Sequence, residues 1–398
     1  MRRFLLWVGC LAVLGIASCT VLLPERYAVN APMGSFLGML GIGEGVQPPP
    51  ETEFQQRVRV PEGFEIGIFA DGIRNARFLR FTPAGDLLVS SPRLGSIFVV
   101  ERDADGDGRA DSVRPLLEGL ERPHGLDFFG GWLYVAEGSA IRRVRYDAER
   151  KKTVGDLETV VSGLPTGGNH WTRTVRFGPD QKMYLSVGSS CNVCVEEDER
   201  RAAVLRFEPD GSGGEIYASG LRNSVGLDFQ PGTGALFATD NGRDLLGDDF
   251  PPCELNQLEA GAFYGWPYVN GFGVPDPDLG ALPEARSGVP PAHGFGGHTA
   301  PLGIDFYESD VFPARYRGAA FVALHGSWNR TRKSGYKVVV LEWPPAGGEI
   351  RESDFATGFE LDEDVIGRPV DVLEGPDGAL YISDDYAGAI YRVGFIGG

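Results

Sequence analysis

Short apolar stretches alternate with turn-forming residues along most of the chain, and one phrase recurs. An apolar strand, usually ending in Phe, is followed by a turn of Gly, Asp or Pro and then by a strand of the Leu-Tyr-Val type. The copies are Phe78-Leu79-Arg80-Phe81 with Asp86-Leu87-Leu88-Val89, Gly125-Leu126-Asp127-Phe128 with Trp132-Leu133-Tyr134-Val135, and Thr174-Val175-Arg176-Phe177 with Met183-Tyr184-Leu185. They continue as Gly226-Leu227-Asp228-Phe229 with Ala235-Leu236-Phe237-Ala238, Gly303-Ile304-Asp305-Phe306 with Ala320-Phe321-Val322-Ala323, and Val370-Asp371-Val372-Leu373 with Leu380-Tyr381-Ile382. Spacings of roughly 50 residues, longer for the later copies, are those of propeller blades with inserted loops. One copy has too few strands to bury both faces, so radial packing must supply the core. The chain is therefore expected to be all-β, a six-bladed β-propeller over 58–398. Phe64-Glu65-Ile66-Gly67-Ile68-Phe69 is expected to complete the last blade and close the ring. A two-layer sandwich does not account for the repeated phrase.

Two segments fall outside the repeat. Arg2 and Arg3 precede an apolar run from Phe4 to Leu23, which has the pattern of a signal peptide or signal anchor over 1–23. Ile16-Ala17-Ser18-Cys19 resembles a lipoprotein cleavage box, while the full run of about 20 residues is long enough to span a bilayer uncleaved. Both readings leave the body outside the cytoplasm, periplasmic and attached to the membrane, because basic flanks stay inside. Residues 24–57, ending in Pro48-Pro49-Pro50, are expected to be a loose linker. Within the body, Tyr264 to Thr299 is the longest interruption. It is a lid or excursion whose Tyr264, Trp266 and Tyr268 either stack on a sugar or pin the loop.

Composition narrows the partners. With 57 Gly and 28 Pro in 398 residues the chain is turn-dense, and a net charge of −18 argues against nucleic acid, which needs clustered Lys and Arg. Cys191 and Cys194 form a C-x-x-C pair, which in an oxidising compartment is expected to close as a disulfide, a loop staple with a redox-active pair as the alternative. Val195 stands where a c-type haem needs His, and a four-thiolate site lacks ligands. Cys253 is left over. Asp103-Ala104-Asp105-Gly106-Asp107-Gly108-Arg109-Ala110-Asp111 has the alternating carboxylates of a calcium loop. Arg114 stands where a full loop has its terminal Glu, so Asp111 is expected to complete the shell, an unliganded acidic turn being the alternative.

Propellers bind ligands over the central channel, so polar residues beside the inner strands are the ones to inspect. Gly167-Gly168-Asn169-His170, Gly220-Leu221-Arg222-Asn223, Asn241-Gly242-Arg243, His325-Gly326-Ser327-Trp328-Asn329-Arg330 and Gly367-Arg368-Pro369 fall at one end of the ring. They suggest one anionic ligand. With Leu246-Gly247-Asp248-Asp249 and Tyr264-Gly265-Trp266-Pro267, in this order, they resemble the pyrroloquinoline-quinone-dependent sugar dehydrogenases, especially the sorbosone dehydrogenase branch, from roughly Pro61 onward.

The resemblance implies an oxidoreductase that passes hydride from a sugar, aldose or sorbosone-like aldehyde to calcium-bound pyrroloquinoline quinone. An external quinone or cytochrome would take the electrons. It implies that His170 is the general base and that Arg222, Asn223, Asn241, His325, Trp328, Arg330 and Arg368 bind the cofactor. The backbone carbonyls of Gly242 and Arg243 would hold the calcium. Where glucose-oxidising members place an Asp that orients the base, this chain has Ser189 and Ser190 after Gly188. Another partner must then hold His170. A calcium-dependent lactonase and a non-catalytic binding propeller remain the competing readings.

Overall fold

In a computed structural model, residues 25–32, 48–344 and 348–397 are described. The N-terminal run Phe4–Leu23 lies outside them. Among the described residues no helix is long and apolar enough to cross a membrane.

Six sheets form the body, each built on four antiparallel strands, and one of them carries a fifth, parallel strand. Blade 1 is Leu79–Phe81, Leu87–Ser91, Ser96–Val100 and Val113–Leu117, and blade 2 is Leu126–Phe129, Trp132–Ala136, Ile141–Asp147 and Lys152–Val161. Blade 3 is Arg173–Phe177, Met183–Val187, Ala203–Phe207 and Glu215–Ser219. Blade 4 is Ser224–Phe229, Leu236–Asp240, Pro252–Leu258 and His293–Gly297, and blade 5 runs from Pro301–Phe306 to Arg351–Ala356. Blade 6 takes Pro369–Glu374, Leu380–Asp384 and Ala389–Phe395 from the C-terminus and Phe64–Ala70 from the start of the body. This closure was the expected one, with Phe64 opposite Phe395 and Ile66 opposite Val393. Second strands such as Met183–Val187 and Ala320–Leu324 are buried on both faces. Neighbouring blades cover each side, so these strands read as continuous apolar runs.

A charged residue in each copy locks the ring: the one before the final Phe in the first five, and Asp371, two places before Leu373, in the sixth. Arg80 Nη2 of blade 1 lies 2.6 Å from Asp127 Oδ1 of blade 2. Asp127 Oδ2 accepts from the Phe177 amide of blade 3 (2.8 Å), and Arg176 of blade 3 pairs with Asp228 of blade 4. Asp228 Oδ2 accepts from Phe306 N (2.8 Å), Asp305 Oδ2 from Glu374 N (2.7 Å) and Asp371 Oδ2 from Leu79 N (2.8 Å). Each of the six blade junctions is thus closed by one side chain near the axis. Burial and the Asp228 charge push Asp305 well above the usual carboxylate range, and burial pushes Asp371 up to about 7.

Two expectations change. The segment 24–57 is not a loose linker where it is described. Glu51–Arg57 is an α-helix whose Phe54 is fully buried, stacked on Tyr391 with ring centroids 4.9 Å apart. Residues 25–32 lie on the propeller: Glu25 Oε1 accepts from Asp248 N (2.9 Å), Asn329 Nδ2 donates to Ala28 O (2.6 Å), and Asn30 N donates to Trp328 O (2.8 Å). The long interruption is not a free lid either. His293–Gly297 is the outer strand of blade 4, and Ala262–Phe263 adds a parallel strand to blade 3. Tyr264, Trp266 and Tyr268 are buried, and Tyr264 Oη donates to Gln257 O (2.6 Å) while accepting from Glu259 N (2.8 Å). These rings pin the loop; they offer no platform for a sugar.

Candidate active site

A cavity of about 240 Å3 opens at the end of the ring where the loops ahead of the inner strands converge. His170 stands on its wall, at the end of a loop that enters blade 3. Gly167 and Gly168 both have φ of +79°, and a Cβ on Gly168 would lie 2.4 Å from Ser190 O. Only glycine lets the chain turn here and bring the imidazole to the channel. Buried Arg173 and Arg201 brace the loop through its carbonyls: Arg173 donates to Pro165 O (2.6 Å) and Thr172 O (2.8 Å), Arg201 to Thr166 O (2.6 Å) and Gly167 O (3.0 Å).

The residue that orients His170 is Ser189. His170 Nδ1 lies 3.0 Å from Ser189 O and 2.8 Å from Ser189 Oγ. A carbonyl can only accept, so Nδ1 carries the hydrogen and Nε2 keeps its lone pair. Ser189 Oγ spends its own hydrogen on Cys191 O (2.8 Å), which leaves it an acceptor toward the ring. No hydrogen bond among the described residues ends on Nε2. Gly188 makes the arrangement possible, since a Cβ there would lie 2.6 Å from His170 Cβ and 2.7 Å from Asn223 Oδ1. Burial, and then the nearby Arg222 charge, lower the His170 pKa to about 3. A lowered pKa keeps the imidazole neutral at every pH above it. Ring 15N shifts of His170 in cofactor-free protein are therefore expected to stay those of the Nδ1–H tautomer from pH 8 to below pH 5. A transition near 6.5, the ordinary histidine value, would contradict this environment.

Asn223 lines the cavity beside His170, and its Oδ1 is buried without a partner. Arg77 also lines it, with Nη1 on Asp385 Oδ2 (2.6 Å) and a buried Nε without a partner. Asp385 accepts from His325 Nε2 as well (2.8 Å); burial and the Arg368 charge lower the His325 pKa to about 4, so this imidazole is neutral and donates. Trp171 and Trp328 flank the opening, Trp328 being 44% exposed. Asp244 is the only carboxylate among the lining residues, and it is committed to Arg222 Nη2 (2.9 Å) and lies 3.6 Å from His298 Nδ1. The positive charge of Arg77 and Arg222 beside a neutral base makes a pocket for an anion that exchanges a proton.

The family model of the TrAA12-like proteins matches residues 58–254 and 284–394. The chain belongs to the TrAA12-like family. An uncharacterised protein of Borreliella burgdorferi is 30% identical over 358 residues, covering 86% of this chain and 92% of that one. A pyrroloquinoline quinone-dependent pyranose dehydrogenase of Coprinopsis cinerea is 25% identical, covering 86% of this chain, which spans 55% of that relative's length. The holo form of the pyranose dehydrogenase PQQ domain from Coprinopsis cinerea has the same fold, with a TM-score of 0.72 at 23% identity over 88% of this chain and 98% of that chain.

For this TrAA12-like protein, several residues sit differently from the expectation. Arg222 lines the cavity, but four of its five N–H groups are spent on the protein, on Asn192 O (3.0 Å), Asn192 Oδ1 (2.9 Å), Asn241 O (3.0 Å) and Asp244. It offers mainly charge. Asn241 lines the wall with its amide on Asn223 O (3.2 Å). Arg330 is not a lining residue: it braces the rim through Asp248 O, Gly297 O and Asp249. Arg368 lies behind the wall, donating to His325 O (3.1 Å) and Gly326 O (2.9 Å). The Arg243 side chain points away to Asp276 (2.5 Å) and Asp278 (2.8 Å). Among the described residues, no hydrogen-bond donor reaches the carbonyls of Gly242 and Arg243, so both fit the oxygen ligands a hard cation takes. Arg77, Asp244 and His298 were not expected. Arg77 stands directly before the first phrase and His298 shortly before the fifth, the position that yielded His170.

The disulfide Cys191–Cys194 is formed, and Cys253 is a buried free thiol on the cavity wall. In the acidic loop, oxygens of Asp103, Asp105 and Asp111 converge within 4.8 Å, while Asp107 turns aside to accept from Arg109 N (2.8 Å). This loop joins the third and fourth strands of blade 1, at the ring's other end. Calcium is expected to raise the melting temperature by mass action, and Asp105→Ala with Asp111→Ala to abolish the rise. Equal melting of both proteins with and without calcium would rule the site out.

Proposed function

We propose that the protein is a periplasmic quinoprotein that oxidises an aldose or related aldehyde sugar, of the sorbosone type, with pyrroloquinoline quinone and calcium. The observation that carries this reading is the His170 imidazole, fixed through Nδ1 with Nε2 free, in a cavity where Arg77 Nε and Asn223 Oδ1 lack partners. The names of its TrAA12-like relatives support it. When bound, the quinone, with calcium on the carbonyls of Gly242 and Arg243, supplies a two-electron acceptor for hydride. His170 Nε2 takes the proton of the substrate hydroxyl. Ser189 keeps the base in the right tautomer, and Arg222 and Arg77 supply positive charge where negative charge develops. The mouth beside Trp328 admits the sugar ring. The test is to add the quinone and calcium to the apoprotein and to screen aldoses and aldehydes with an artificial electron acceptor. Turnover that needs both additions is expected; none with any substrate would sink the reading.

On the export reading, the docked segment sets which face meets the membrane. Glu25 lies two residues after the apolar run and touches Asp248 on the rim of the site face. An anchor there would hold that face toward the membrane, from which a membrane quinone or cytochrome could take the electrons. Cell fractionation checks it: recovery in the cytoplasm would contradict export.

A further inference from the structure

The loop Gly188–Glu196 leaves the second strand of blade 3, and its contacts converge on two site residues. Ser189, fully buried, meets His170 Nδ1 through both its oxygens. Asn192 meets Arg222 through both its oxygens, at 3.0 and 2.9 Å, accepts from Asp244 N at 2.8 Å and donates to Asp244 O at 3.1 Å. Between them stands Cys191, whose carbonyl takes the Ser189 hydroxyl hydrogen. Cys191 is bonded to Cys194. Both cysteines are half-buried and followed by exposed Val195, so a small dithiol can reach them.

We propose that this disulfide loop is a redox-sensitive positioning device, with Asn192 as positioning residue for Arg222 and Ser189 as positioning residue for His170. The proposal rests on the dehydrogenase reading for its effect on turnover, but not for its effect on the two side chains. The direction of the Ser189 hydroxyl matters. While its hydrogen is held by Cys191 O, Ser189 Oγ can only accept from Nδ1–H, and the lone pair stays on Nε2. If the opened loop withdraws Ser189 O from the ring and Cys191 O from the hydroxyl, that hydroxyl is free to donate to Nδ1, which favours the Nε2–H tautomer and removes the base. Arg222 is tied in parallel. Its guanidinium is buried with only Asp244 as a carboxylate partner, so loss of both Asn192 oxygens leaves two charge-assisted bonds unmade. Reduction is a plain exchange: a dithiol gives two electrons and two protons, the Cys191–Cys194 bond becomes two thiols, and the dithiol leaves as its own disulfide. The opened loop then has no cross-link, and the Ser190–Glu196 hydrogen bonds (2.6 and 2.8 Å) are left to close it.

The experiment uses the full chain and dithiothreitol. In cofactor-free protein, 15N signals of the His170 ring are recorded oxidised, reduced and reoxidised. Reduction is expected to mix the two tautomers, and reoxidation to restore Nδ1–H. A tautomer unchanged by reduction would overturn the proposal. Asn192→Ala is expected to weaken quinone binding about 10-fold, the scale of a lost charge-assisted bond, with Asn192→Gln recovering part of it. Its His170 signals should not change, which a merely structural loop defect would not spare. Equal quinone affinity in Asn192→Ala and wild type would overturn the Arg222 half. Should the quinone bind no form of the protein, the functional reading fails, while a reduction-dependent His170 tautomer still upholds the loop's role.

Discussion

Replacing His170 with Ala is expected to slow reduction of the bound quinone by sugar about 10²–10⁴-fold, the usual contribution of a positioned general base. That corresponds to about 3–5 kcal/mol of transition-state stabilisation. The loss should fall on the rate and leave cofactor affinity nearly untouched. His170 hydrogen-bonds only to Ser189 through its ring, whereas the cationic and amide groups that face an anion belong to Arg77, Arg222 and Asn223. The fold should survive, because the loop is held through its backbone by Arg173 and Arg201. Single-turnover kinetics separate these effects. A variant that reduces the quinone at the wild-type rate would remove His170 from the mechanism.

The largest effect on stability is expected from Asp228→Ala, at about 3–5 kcal/mol, the cost of stranding a buried charge. The substitution strips Arg176 of its carboxylate partner and leaves the Phe306 amide without an acceptor, opening the junctions of blade 4 with both neighbours. Asp228→Asn keeps an acceptor for Phe306 and should cost less. Chemical denaturation checks the order; a loss below about 1 kcal/mol, the scale of an exposed pair, would mean the axial ring contributes little. The same ring sets a pH trend. Asp371 has a folded pKa raised to about 7, so between roughly 4 and 7 the folded state holds a proton that the unfolded chain has released. Its contribution is complete below pH 4 and is lost as pH rises through 7.

The repeated phrase made the propeller legible, because a second strand buried between two blades must be apolar throughout. The closing strand Phe64–Ala70 was legible for the same reason. The charged residue of each copy was visible, as Arg80, Asp127, Arg176, Asp228 and Asp305 before Phe and as Asp371 two places before Leu373, yet its role was not. A charge inside an apolar strand makes sense only when the neighbouring blade's amide or opposite charge is in view. In the site, position before an inner strand identified His170, Arg222 and Asn223. Arg77 obeys the same rule at the first copy and His298 nearly so at the fifth. Arg330 and Arg368 share that end of the ring but turn onto nearby carbonyls, a choice decided by side-chain geometry that spacing does not encode. Ser189 was legible only as the absence of an Asp. Residues 25–32 and Phe54 were missed because their partners lie hundreds of positions away, and a Pro-rich composition describes neither.

The most direct measurement is anaerobic mixing of an aldose with protein loaded with pyrroloquinoline quinone and calcium, followed by the quinone absorbance. The account predicts one equivalent of tightly bound quinone, reduced in a single phase that depends on sugar concentration and is nearly absent in His170→Ala. Failure of the wild-type protein to bind the quinone, or to reduce it with any aldose or aldehyde, would contradict it.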